Sequence, residues 1–156
     1  MTIDEFAAQL RKTDQASLVE TVRRSVSLSI NAMIADVVRN KMSGQYLGVI
    51  TGTARRSITG GVRATPQSVT GEFGSGLIYV RAHELGFRGT VAVKAHNRTS
   101  GTARVRPHQR VMNMRARRFL RDSLEQGIPG LDKRLRVALQ YLITTGQVPD
   151  ASLLGA

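Results

Sequence analysis

The chain contains no cysteine and no tryptophan among its 156 residues. Without thiols it has no disulfide and no thiolate metal ligand, a composition that suits a protein assembled inside a cell. Aromatic residues are scarce, four Phe and three Tyr, and none lies between residues 88 and 118. That stretch therefore offers no platform on which a nucleic-acid base could stack. No apolar run approaches the roughly 18 residues that span a bilayer. The opening MTIDEFAAQL lacks a basic segment leading into an apolar one, so no signal peptide is expected. Acids are the most telling shortage: 11 Asp and Glu against 23 Lys and Arg give a net charge of +12. No acid occurs between Glu84 and Asp122, an interval holding Arg88, Lys94, Arg98, Arg104, Arg106, Arg110, Arg115, Arg117, Arg118 and Arg121. Like charges so crowded repel, and they favour exposure or a polyanionic partner.

What is present reads as one domain over residues 1–156. Thr2 and Glu5 have capping-box spacing ahead of a short helix to Leu10. A second cap at Thr13-Asp14 opens a long helix whose apolar stripe runs Leu18, Val22, Val26, Ile30, Ile34 and Val38, stopped by Gly44. Its length would be roughly 40 Å at about 1.5 Å per residue, enough to brace a sheet. After a helical turn near Thr51–Ile58 the period changes to two. Residues 61–65 and 69–73 alternate, Leu77–Ala82 reads as a central strand, and residues 89–112 read as a long β-hairpin with one apolar and one basic face, turning at Thr99-Ser100-Gly101. Helical spacing returns at Ala116 and is stopped by Gly127. After Pro129-Gly130 a last helix runs to Gly146, and the tail to Ala156 is expected to be loose. The fold class is α+β: a long N-terminal helix packed on an antiparallel β-sheet with an extended basic hairpin, followed by C-terminal helices. Residues 14–126 form the core, with the hairpin at 89–112, and residues 128–156 the C-terminal helix and tail.

The pair His83-Glu84 resembles the start of a zinc-protease helix, but the second histidine would stand at position 87, which is Phe87. No Gly-x-Ser-x-Gly elbow and no phosphate-binding Gly-Lys-Ser/Thr occurs. Catalytic, metal-binding and cofactor-binding residues are therefore expected to be none. The basic hairpin suits a phosphate backbone read without sequence preference. It equally suits assembly, because a two-stranded ribbon is marginal alone and its edges accept strands from other chains.

Three blocks carry a family resemblance. Thr51-Gly52-Thr53-Ala54-Arg55-Arg56-Ser57-Ile58 is similar to Thr-Gly-x-Leu-Arg-x-Ser-Ile. Tyr79-Val80-Arg81-Ala82-His83-Glu84-Leu85-Gly86 is similar to Tyr-Ala-x-x-His-Glu-Phe-Gly. Arg117-Arg118-Phe119-Leu120-Arg121-Asp122-Ser123-Leu124 is similar to Arg-Pro-Phe-Leu-x-x-Ala-Leu. In this order they resemble the tail-completion or neck proteins of long-tailed bacteriophages, over about residues 14 to 126. Ala54 and Arg118 depart from the pattern, the latter replacing a proline that would open a helix.

The resemblance implies a non-enzymatic virion subunit, assembled in the host bacterial cytoplasm. It implies a homo-oligomeric ring, a hexamer, at the head-proximal end of the tail, touching the tail tube protein and the head connector or stopper, with genomic DNA in the bore. No cofactor and no membrane enters this reading. The motif residues Thr51, Gly52, Arg55, Ser57, Tyr79, His83, Glu84, Gly86, Phe119 and Leu120 then have structural roles. Subunit or neighbouring-ring contacts are expected from Val91, Val93, Lys94, Arg98, Arg104, Val105, Arg106 and Arg110. Contacts to DNA or an acidic partner are expected from Arg98, Arg104, Arg106, Arg110, Arg115 and Arg117. The alternative is a sequence-nonspecific double-stranded DNA-binding protein.

Overall fold

The structure, a computed structural model, describes residue 8 and residues 13–44, 52–97 and 104–155. The helix expected from Thr2 to Leu10 falls, Ala8 apart, outside the described residues, as does the turn at Thr99-Ser100-Gly101. The fold is α+β, with a long N-terminal helix, antiparallel strand pairs and a long C-terminal helix. It divides into two compact units: Met1–Gly76 with Phe119–Ala156, and Leu77–Arg118. The hairpin expected at 89–112 thus falls within the second unit.

In the first unit, helix α1 (Gln15–Asp36) starts after Asp14, which has extended backbone and accepts the Leu18 amide at 3.1 Å. Beyond Asp36 it widens into a π-helical turn, Val37–Lys41. A single helical turn, α2 (Thr53–Arg56), leads into strands β1 (Ile58–Ala64) and β2 (Val69–Ser75). The strands pair antiparallel from Ile58↔Ser75 to Ala64↔Val69. Val22, Val26, Ile30, Met33 and Ile34 of α1 pack with Val62, Val69 and Phe73 of this ribbon. Glycines bring the two together. A Cβ at Gly71 would lie 2.7 Å from Val26 Cγ1 and 2.9 Å from Ile30 Cγ1, and one at Gly60 2.9 Å from Ile34 Cδ1.

A second buried row runs along α1. Thr21, Ser25 and Ser29 are buried, and their hydroxyls donate to the carbonyls of Ser17, Thr21 and Ser25 at 2.8, 3.0 and 3.0 Å. Each is satisfied within its own helix, so the row needs little room. Helix α4 (Phe119–Thr145) lies against α1, and its Arg134 reaches Ser29 Oγ at 3.3 Å.

Here the sequence expectation of two C-terminal helices is corrected. α4 is one helix of 27 residues with Pro129 inside it. Its breakers serve packing instead: a Cβ at Gly127 would lie 2.6 Å from Met33 Cγ. Burial against α1 outweighs the helix-breaking cost of Pro129 and the glycines. Polar links hold the same crossing. The Ser123 hydroxyl donates to Asp36, Asn40 Nδ2 donates to Asp36 at 2.7 Å, and Lys41 Nζ donates to Gln126 at 3.1 Å. The tail is also ordered, contrary to the loose end expected. A 3-10 turn, Ala151–Leu154, buries Leu154, while Arg134 donates to the Leu154 carbonyl and Arg24 to that of Pro149, both at 3.2 Å. Two guanidinium groups supply the donors that those carbonyls need.

In the second unit the expected central strand at Leu77–Ala82 is helix α3 (Ile78–Leu85). A short apolar run does not distinguish strand from helix by period. The helical face is set by Val80 and Glu84, buried at i and i+4, while Ile78 and Leu85 stay exposed. Strands β3 (Phe87–Val93) and β6 (His108–Met114) then pair antiparallel, and β4 (His96–Asn97) with β5 (Arg104–Val105). No described helix is long and apolar enough to cross a membrane.

Two outcomes follow for the first unit. Gly71→Val forces methyl groups into the α1 interface and should cost about 1–3 kcal/mol in urea unfolding; an unchanged midpoint would contradict the close approach. The second concerns acid. Hydrogen bonds from Arg23 first, then Arg24, lower the Glu20 carboxyl to about 2. For Asp36 burial opposes ionisation, but Ser123, Asn40 and Lys41 outweigh it and hold the carboxyl below its usual range. Both folded values lie below the unfolded ones, so their stabilisation is complete above about pH 4.5 and is lost as pH falls toward 2. A Glu20→Gln, Asp36→Asn double variant, weaker at pH 7, should lose less of its urea midpoint over that window than the native chain; equal losses would refute the assignment.

Candidate functional site

The hairpin is the part of the chain whose residues are not consumed by packing. Its register is continuous. Phe87↔Met114 through Val93↔His108, and then His96↔Val105 and Asn97↔Arg104, follow one pairing with no residue inserted. Pro107 lacks an amide to donate, and the ladder is interrupted beside it. Directly paired residues share a face. Val91 is paired with Arg110 and Val93 with His108, so β6 places its basic residues on the face that carries the valines of β3. The expected division into one apolar and one basic face is therefore corrected, because the alternation is in phase across the two strands and cannot sort them.

Along the hairpin the composition changes instead. The half next to α3 carries Phe87, Val91, Val111, Met112 and Met114, with Val111 78% exposed and Phe87 and Val91 each 36%, and Arg88 and Arg110 stand among them. The other half carries Lys94, His96, Arg104, Arg106 and His108, all exposed. No described residue between 87 and 114 is buried. A ribbon of two strands has no interior of its own, and neither face of this one is fully covered.

Charge concentrates in the same unit. Residues 77–118 hold 10 Lys and Arg and 1 acid, so 10 − 1 = +9 of the chain's +12. The acid, Glu84, is buried on α3. Among the described residues no carboxylate pairs with Arg88, Lys94, Arg104, Arg106 or Arg110. The remaining 114 residues hold 13 cations and 10 acids, a balance of only +3, and Arg23, Arg24, Arg63, Arg121 and Arg136 there make ion pairs.

The second motif block closes the base of the hairpin. Its helix, α3, ends with unpaired carbonyls, which the returning chain satisfies: the Arg117 amide donates to His83 O at 2.9 Å and the Arg118 amide to Glu84 O at 3.2 Å. Gly86, at φ 79° and ψ 164°, makes the turn in a conformation open essentially to glycine alone. A Cβ there would lie 2.8 Å from Ala116 N and 2.9 Å from Met114 O. His83 is half-buried, its Nδ1 without a hydrogen-bond partner, and desolvation, with the charge of Arg117, lowers its pKa. Tyr79, expected in a strand, sits 42% exposed on α3.

The other expected positions are scattered. Arg98 and Thr51 lie outside the described residues. Gly52, at φ 69°, precedes α2, Arg55 is half-buried on it, and the Ser57 hydroxyl bonds Ala54 O and Ser75 Oγ, both at 2.7 Å. Phe119 is fully buried and Leu120 half-buried at the start of α4. Arg118 stands at φ 51°. Proline is closed to that angle and could not supply the amide given to Glu84, so this departure from the motif is required by the backbone seen here.

A cleft of about 560 Å³ lies beside Gln15, Glu20, Arg23, Thr65 and Pro66. Glu20 there is held ionised by two arginines, which unsuits it as a proton donor near neutral pH. Among the described residues no three His, Asp or Glu stand close enough to hold a metal. No protein-family model, curated protein or solved structure matches this chain.

Gly86→Val should open the base of the hairpin. Tryptic cleavage at Arg115–Arg118 should speed by about tenfold or more, given about 1–3 kcal/mol for a strained backbone position. An unchanged rate would contradict the closure described.

Proposed function

We propose that this protein is a non-enzymatic structural subunit of a long-tailed phage or prophage-derived particle. It forms a ring, a hexamer, at the head-proximal end of the tail and joins the tail tube to the head connector. The three motif blocks support this reading by resemblance. The observation that carries it is the uncovered hairpin: Phe87, Val91 and Val111 stay exposed on a two-stranded ribbon. Such a ribbon gains stability when another chain covers it. Head-to-tail contacts between different surfaces of identical subunits close a ring, whereas the unit 77–118 laid on its own copy would bring +9 against +9.

The experiment is electron microscopy of the purified protein, alone and with tail tubes. Annular particles of subunit size, or an annular cap on tubes, are expected. Val111→Asp places a carboxylate on the exposed apolar half and should abolish them while leaving the first unit's unfolding midpoint within about 0.5 kcal/mol. Monomers only, with and without tubes, would refute the ring.

A further inference from the structure

The two halves of the hairpin differ in chemistry, and so in what each can hold. The exposed large apolar side chains of this ribbon, Phe87, Val91 and Val111, all stand in the half next to α3. These are the anchors a protein surface needs, since protein contacts draw their energy from buried aromatic and aliphatic groups. The distal half has no aromatic residue. Arg104 on β5 and His108 and Arg110 on β6 have the same parity in the continuous register, with Arg106 at the matching position between the strands, so they fall on one face, Arg110 at its inner end beside Val91. Alternate residues stand about 6.8 Å apart, so this line of cations is about 20 Å long. Lys94 and Arg88 lie on the opposite face, which leaves neither face without positive charge.

A linear polyanion matches that pattern. Each strand of a DNA duplex carries one phosphate charge per ~3.4 Å of axis, and the major groove admits a two-stranded ribbon. The chain's own copies do not match, because the first unit is also positive, at +3.

We infer that the cationic row of the hairpin binds the phosphate backbone of double-stranded DNA, through Arg104, Arg106, Arg110 and Lys94, without reading sequence. The inference deepens the ring reading, on which it rests for the place where the duplex is met. It assigns two tasks along the hairpin: the apolar side chains near α3 hold a neighbouring chain and the cationic row holds the nucleic acid. Neutralisation of the arginines by phosphate also relieves the repulsion within the unit.

The test is fluorescence anisotropy of two labelled 20-base-pair duplexes of unrelated sequence, titrated with the full chain from 25 to 200 mM KCl. Equal affinities for the two are expected, with log K falling against log salt at a slope of about −4, as the four named cations would give. Arg104→Gln, Arg106→Gln and Arg110→Gln together should reduce the slope by about 2 to 3 and weaken binding at least tenfold at 50 mM. Removing the same charge from the first unit, with Arg39→Gln, Arg63→Gln and Arg136→Gln, should change the slope by less than 1. No binding at 25 mM, a flat salt response, a clear sequence preference, or equal loss in both triple variants would overturn the inference. Binding of an acidic protein with no binding of DNA would overturn it as well. Annular particles are scored on the same samples: rings without DNA binding refute this inference and leave the ring reading standing, while salt-dependent binding by a chain that forms no rings refutes the ring alone.

Discussion

Repulsion among the cations of residues 77–118 constrains both that unit and whatever it meets. Ten positive side chains share the unit with one buried carboxylate. Internal ion pairs cannot neutralise them, and folding them inward would strip their hydration at large cost. The stable arrangement keeps Arg88, Lys94, Arg104, Arg106 and Arg110 spread along an exposed ribbon, and backbone hydrogen bonds hold the ribbon's base. That is the work of the second motif block. Gly86 lets the chain pass within contact of Ala116, and the carbonyls at the end of α3 take the amides of Arg117 and Arg118. A histidine followed by a glutamate here marks the end of a helix that the returning strand caps.

The first unit answers a different constraint. Helix α1 is covered on two sides, by a ribbon through Gly60 and Gly71 and by α4 through its small polar row and Gly127. Close approach on both sides gives dispersion contacts that larger residues would prevent. The polar crossing of Asp36, Ser123, Lys41 and Gln126 fixes where α4 meets the π-helical end of α1. The packed core among the described residues thus lies in the unit of lower charge, +3 against +9.

The parts legible in the sequence were those governed by period. The stripe from Val22 to Ile34 and the alternation around Val91 and Val105 gave α1 and the hairpin, because burial or pleating dictates those repeats directly. Elements decided by close packing were hidden. Gly127, Pro129 and Gly130 look like stops, yet they lie inside α4, where Gly127 lets Met33 of α1 approach closely. Ile78–Leu85 is too short and too apolar for period to separate strand from helix. For the site, the sequence located Arg104, Arg106 and Arg110, but their faces depended on the pairing register, which fixes Val91 beside Arg110 and cannot be read from one strand.

On the proposed reading other chains complete the hairpin. Amide hydrogen exchange across Thr90–Val93 and Gln109–Met112, measured in the free subunit and in the assembled particle, reports whether they do. Expected is weak protection in the free subunit, far below that of Val26–Met33 in α1, rising at least about tenfold on assembly. Protection in the free subunit equal to that of α1, unchanged by assembly, would contradict it.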